Sequence, residues 1–170
     1  MRLRIRLLWL ILCGFFQNRL SILDTSTVHL RVLFNDTDIR KVSGDRYFAL
    51  GDLGWGSLYI RWGAFNRVLK GECAPVGQVM TLNAREPLWL MQKFKIETKV
   101  LWWDQRWLYF EQKYIHQGNV KVVGVGKGGL LKGGVLMDIV DWVPGAETSK
   151  KPDKPEQVVA IQNLENSIQW

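Results

Sequence analysis

Between Asp45 and Lys70 the apolar residues recur at three- and four-residue spacing, whereas the apolar runs before and after that segment recur at two. A period near 3.6 marks a helix with one buried side, and a period of two marks a half-buried strand. One long helix set among strands is therefore the arrangement the chain must satisfy. Tyr47, Leu50, Leu58, Trp62, Phe65 and Leu69 carry the helical spacing, and Gly51, Gly54, Gly56 and Gly63 interrupt it. Each glycine inside a helix costs about 1 kcal/mol against alanine. Either the helix breaks near Gly54–Gly56, or it is tightly embraced by neighbouring backbone. Unbroken, the segment would be about 40 Å long at 1.5 Å per residue, which also favours a bend.

The strands follow from alternation. Thr27 to Asn35 places Val28, Leu30, Val32 and Phe34 on one face and His29 and Arg31 on the other. Gln78 to Ala84 is a second strand, closed by Glu86-Pro87. In the clearest run, Phe94, Ile96, Val100 and Trp102 alternate with lysines and Glu97. Trp107 to His116 and Lys121 to Leu131 complete the set, joined by turns at Asp104–Arg106 and Gln117–Asn119. Such short connections make antiparallel neighbours. The predicted class is α+β: a curved antiparallel sheet of about five strands around one long central helix. An apolar helix within residues 1–20 precedes the body at 21–143. Residues 144–170 form a linker (Gly145 to Pro155) and a C-terminal helix (Glu156 to Trp170).

Composition narrows the chemistry. The chain has 170 residues, a single domain's worth. Cys13 and Cys73 lack paired spacing and there are two histidines, so neither a disulfide framework nor a metal site is expected. A net charge of +7 favours anionic partners without choosing among them. The N-terminal run, with Arg2, Arg4 and Arg6 before Leu7 to Phe16, is too short to span a bilayer. It reads as a helix packed on its own domain or a partner, as a helix lying in a membrane interface, or as a secretory signal that lacks a small-residue cleavage site.

Three constellations invite functional readings. Gly124, Gly126 and Gly128 resemble a dinucleotide loop, but that loop must leave a strand and open a helix. Here the glycines fall within a strand, as a flat strip against which the central helix approaches closely. Trp102, Trp103 and Trp107 stand among basic residues, as base-stacking aromatics do. Cross-strand packing explains them better, with Trp102 continuing the apolar face of its strand, and nucleic acid is not an expected partner. The third is the turn before the helix, with Asp36, Asp38, Ser43, Asp45, Arg46 and Tyr47. Free N–H groups at a helix start polarise a carbonyl, and a carboxylate beside them activates water or attacks directly. The plain alternative is that Ser43 or Asp45 caps the helix.

These residues carry a resemblance. Arg31-Val32-Leu33-Phe34, Asp36-Thr37-Asp38, Arg46-Tyr47-Phe48 and Asp52-Leu53-Gly54, followed by Val100-Leu101-Trp102-Trp103-Asp104 and Trp107 to Gln112, resemble the 4-hydroxybenzoyl-CoA thioesterase-like group of hotdog-fold proteins. The likeness runs from about Val28 to Lys132. It implies hydrolysis of an acyl-CoA thioester in a homodimer or dimer of dimers, with sites at the subunit interface and lipid metabolism as the setting. Coenzyme A enters only as part of the substrate. Asp38 matches the family's base or nucleophile, and Asp52, on the helix, is the second choice. Amides near Gly44, Arg46 and Tyr47 would hold the carbonyl, with Ser43 beside them and Tyr47 as a positioning group. The family's histidine is absent from Arg40 to Gly44, and the segment is one residue shorter. Asp45 or Ser43 then substitutes, or the protein binds acyl ligands without turnover, as a dimeric scaffold at a membrane surface. A cytoplasmic location is expected, with residues 1–20 as the element that would contact a membrane.

Overall fold

The structure, a computed structural model, describes residues 2–14 and 17–168. It opens with helix α1 (Arg2–Gly14) and strand β1 (Ser26–Arg31). The turn that follows contains a small hairpin of β2 (Thr37–Asp38) and β3 (Lys41–Val42). Then come α2 (Gly44–Arg61), the short α3 (Phe65–Leu69), β4 (Ala74–Ala84), β5 (Lys93–Trp103), β6 (Leu108–His116), β7 (Asn119–Lys132) and β8 (Val135–Leu136). Helix α4 (Glu156–Ser167) ends the described chain; the final residues of the expected helix, Gln169 and Trp170, lie outside it. The sheet order is β1-β5-β6-β7-β4 with every pair antiparallel, and β8 pairs with the end of β7. The sheet curls around α2, which is the predicted architecture.

The central helix corrects one detail of the sequence reading. It breaks at Trp62–Ala64, not at Gly54–Gly56, and Gly63 takes a φ of +79° that other residues avoid. The inner glycines stay helical because side chains of the sheet, not the expected neighbouring backbone, occupy their side-chain space. A Cβ on Gly51 would lie 2.6 Å from Gln112 Oε1, and one on Gly54 would collide with Thr98 Oγ1. Gln112, fully buried, donates from Nε2 to the Gly51 carbonyl at 2.8 Å. Close approach thus outweighs helix propensity here.

Two expectations about the sheet also change. The strip on β7 admits rings rather than helix backbone: a Cβ on Gly126 would strike Phe110, and one on Gly128 would lie 3.1 Å from Trp55. Trp102 leaves the inner face, because the register slips between Val100 and Trp102. A bulge of one residue reverses the alternation that follows. Trp102 therefore lies on the outer face, with the Lys151 and Lys154 ammonium groups over its ring at 4.2 and 4.6 Å.

Both appended helices are tied down by charge. On α1, Arg6 grips buried Asp36 at 2.7 and 3.1 Å and also donates to the Arg31 carbonyl at 3.0 Å. On α4, Glu165 accepts from Lys127 Nζ at 2.8 and 2.9 Å, and Val158 and Ile161 bury against the outer face with Leu101 and Tyr109.

Candidate active site

The acidic turn does not gather its carboxylates around one point. Asp36 is spent on Arg6 and on the Leu33 N–H, which it accepts at 2.8 Å. Asp38 is exposed on the small hairpin and lines none of the five main cavities among the described residues. Asp45 is exposed too; the Ser43 hydroxyl first, and Arg46 after it, hold its carboxyl below the usual range. Ser43 caps α2 through its backbone carbonyl, which accepts from the Arg46 N–H at 3.1 Å, and its side chain makes no capping bond. Gly44 opens the helix in solvent. Tyr47 is buried, and its hydroxyl accepts from the Leu88 N–H at 2.9 Å while its carbonyl accepts from the Tyr114 hydroxyl at 2.6 Å. The sequence reading gave Tyr47 to the substrate as a positioning group; in the structure it fastens the start of α2 to β6 and to the loop after β4.

Asp52 is placed differently. Its position on α2 turns it toward a cavity of about 570 Å³ between α2, α1, α3 and the open strand β4. Leu7, Trp55, Tyr59, Phe110 and Met80 supply apolar wall. The Trp55 and Phe110 rings meet edge-on with centroids 4.0 Å apart, which fixes the floor. Asp52 is exposed like Asp38 and Asp45, yet partial desolvation against the apolar wall raises its carboxyl above the ordinary aspartate value, since desolvation disfavours the charged form. Among the described residues it takes no hydrogen bond and no ion pair. An unpaired carboxylate poised to accept a proton at the edge of an apolar cavity is equipped for general base work.

A larger groove, about 660 Å³, lies on the outer face between α4 and strands β4 and β7, but no carboxylate, histidine or cysteine lines it. Sequence reasoning named Asp52 as a second candidate but not Trp55, Phe110 and Leu7, which line the cavity with it. Trp55 was discernible, three residues along the same helix. Leu7 and Phe110 come together with it only through the fold. Among the described residues, no group of three or more His, Cys, Asp or Glu is placed to hold a metal.

Fold and cavity together define a class: this is a hotdog-fold protein whose cavity opens beside the free edge of its sheet. Its structural neighbours are hotdog-fold thioesterases. The chain is similar to a gentisyl-coenzyme A thioesterase, with TM-score 0.63 and 20% identity, covering 67% of this chain and 95% of that one. It is also similar to a probable thioesterase from Bartonella henselae, with TM-score 0.60 and 23% identity, covering 68% and 98%. In sequence it is similar to Protein THEM6 of Drosophila melanogaster, 28% identical over 147 residues, which is 84% of this chain and 75% of that protein. Protein THEM6 of Danio rerio is 27% identical over 117 residues, spanning 68% of this chain and 58% of that protein. No family model matches the chain.

Proposed function

We propose that the chain is an acyl-CoA thioester hydrolase in which Asp52 is the base. The observation that carries this reading is the Asp52 carboxylate, unpaired among the described residues and partly desolvated at the wall of an apolar cavity. Asp52 would take a proton from water as the water oxygen bonds to the thioester carbonyl carbon. The resulting oxyanion collapses, the carbon–sulfur bond breaks, and the thiolate of coenzyme A leaves and receives the proton. The cavity would hold the acyl group, and the basic surface would suit the phosphates of coenzyme A.

The geometry also favours a homodimer. The amides at Gly44–Tyr47, expected to stabilise the oxyanion, begin eight residues before Asp52. At 1.5 Å per residue they stand about 8 to 12 Å away along the helix. One protomer does not bring both to one carbonyl, whereas a second copy docked on the β4 edge adds donors from its own surface. The test is hydrolysis of acyl-CoA substrates graded in chain length, with Asp52→Asn beside Asp38→Asn. Full activity in Asp52→Asn discards the base assignment, and loss in Asp38→Asn alone returns that role to the hairpin.

A second reading has its own support. The family's histidine is missing, and Asp36 is locked to Arg6. A non-catalytic protein that binds acyl ligands at a membrane surface would keep the cavity without turning over. Acyl ligand binding with no thiol release in the same panel selects it.

A further inference from the structure

The side of α1 that faces away from the body is apolar. Ile5, Leu8, Trp9 and Leu12 recur at three- and four-residue spacing, and all are exposed, Trp9 to 67%. An ordinary surface helix shows solvent its polar side. Rotation of the helix does not relieve the exposure, because Arg6 is bolted to Asp36 and to the Arg31 carbonyl. The same bolt brings α1 against the turn that carries Phe34, which is 70% exposed, and Ile39, which is 95% exposed. Ile39 is β-branched yet holds a φ of 58°, a conformation such residues avoid, so its side chain is presented at a backbone cost. Around this surface the charge is mostly positive. The sequence of α1 holds no acid. Arg31, Arg40 and Lys41 are exposed on the adjoining strand and hairpin, with Asp38 as the exposed acid among them.

We infer that α1 and the tip of the β2–β3 hairpin form a docking face for an anionic lipid bilayer, with α1 lying in the plane of the interface. The chemistry is that of in-plane helices, in which apolar side chains including Trp enter the acyl boundary and cations meet anionic headgroups. No helix of the described chain is long and apolar enough to cross a membrane. The docked face also lies next to the cavity. Leu7, on the inner side of α1, lines the same cavity as Asp52, about 10 Å from the stripe across one helix diameter. Long-chain acyl thioesters, which partition into bilayers, are then the substrates this face would serve. That last step rests on the hydrolase reading; the docking does not.

The experiment is flotation of the full chain with phosphatidylcholine vesicles, with and without phosphatidylserine. The wild-type protein is expected to float with the phosphatidylserine vesicles, and part of that binding is expected to survive high salt. Leu8→Glu with Trp9→Glu should lower the bound fraction about tenfold or more. Ile39→Asp should lower it about threefold, in line with one smaller contact. Val135→Glu, at an exposed apolar residue outside this face, should leave it unchanged. Where the double variant melts early, Trp9→Ala replaces it and must still weaken binding. Failure to float, equal loss in Val135→Glu, or dissociation of an oligomer by the double variant in light scattering overturns the proposal. Hydrolysis of a soluble short-chain acyl-CoA by the double variant should match wild type. Absence of hydrolysis in every form removes the enzymatic reading and leaves the docking result intact.

Discussion

Desolvation at Asp52 has two measurable consequences of opposite kind. As a base, the carboxylate must be ionised, so the acid limb of the kcat/KM profile should rise through a midpoint above the ordinary aspartate value. Asp52→Asn should remove that limb and lower kcat about 10²- to 10⁴-fold, the usual contribution of a positioned base. For folding the sign reverses. A carboxyl whose folded-state value is raised destabilises the native state at neutral pH, and that penalty fades as pH falls through the raised value. Asp52→Asn should therefore melt slightly higher than wild type at neutral pH, and the difference should vanish in acid. Thermal melts across pH check this without any substrate. The residue itself was legible in the sequence as a carboxylate on a helix. Its partners were not, because Leu7 lies forty-five residues before it and Phe110 fifty-eight after, and only the wrapped sheet brings them to one place.

Among the elements, the central helix and its sheet show why periodicity reads so much of this fold and where it stops. Alternation located the strands β1, β4, β5, β6 and β7, because one buried face leaves a two-residue mark. It misplaced Trp102, because a bulge inserts one residue without any compositional trace. It offered a break or an embrace by neighbouring backbone for the glycines; the helix runs on through Gly51 and Gly54, and what presses on them is side chains of the sheet. Gly54→Ala should therefore destabilise the protein: the added methyl meets Thr98 and Gln112, a cost of about 1–3 kcal/mol for overpacking that exceeds the roughly 1 kcal/mol gained in helix propensity. Denaturant unfolding measures the balance, and an unchanged or higher midpoint contradicts the close-contact account. The Arg6–Asp36 pair makes a second test. Breaking a buried ion pair by removing one partner costs about 3–5 kcal/mol, and here the loss should fall on α1. Arg6→Ala should lower the melting temperature and open residues 2–14 to protease, while Asp36→Asn should do the same from the other side. Sequence gave no warning of this pairing, since arginines before an apolar run carry no information about where that run docks.

At the scale of the whole molecule, the sheet has two ends of unequal kind. Strand β1 is six residues long, whereas β4 presents eleven residues and pairs on one side alone among the described residues. A long strand with a free edge is a template for another strand, and proteins either blunt such an edge or pair it. Here little blunts it. Ala74 to Ala84 contains no charged residue, Pro75 lies at its start, and its irregularity is confined to Gly77–Val79. The cavity beside Asp52 opens against this same strand. A twofold partner joined edge to edge would satisfy the unpaired N–H and carbonyl groups and wall the cavity in one step. Light scattering of the purified chain should therefore give twice the protomer mass of 19.7 kDa. In hydrogen exchange, amides along Val79 to Ala84 should be as protected as those of the interior strand β6, and should lose that protection on dilution below the dimer dissociation constant. A protomer mass at high concentration, or fast exchange along β4 while β6 stays slow, would leave the edge bare and the cavity with a single wall, and the dimeric arrangement of the site would have to be given up.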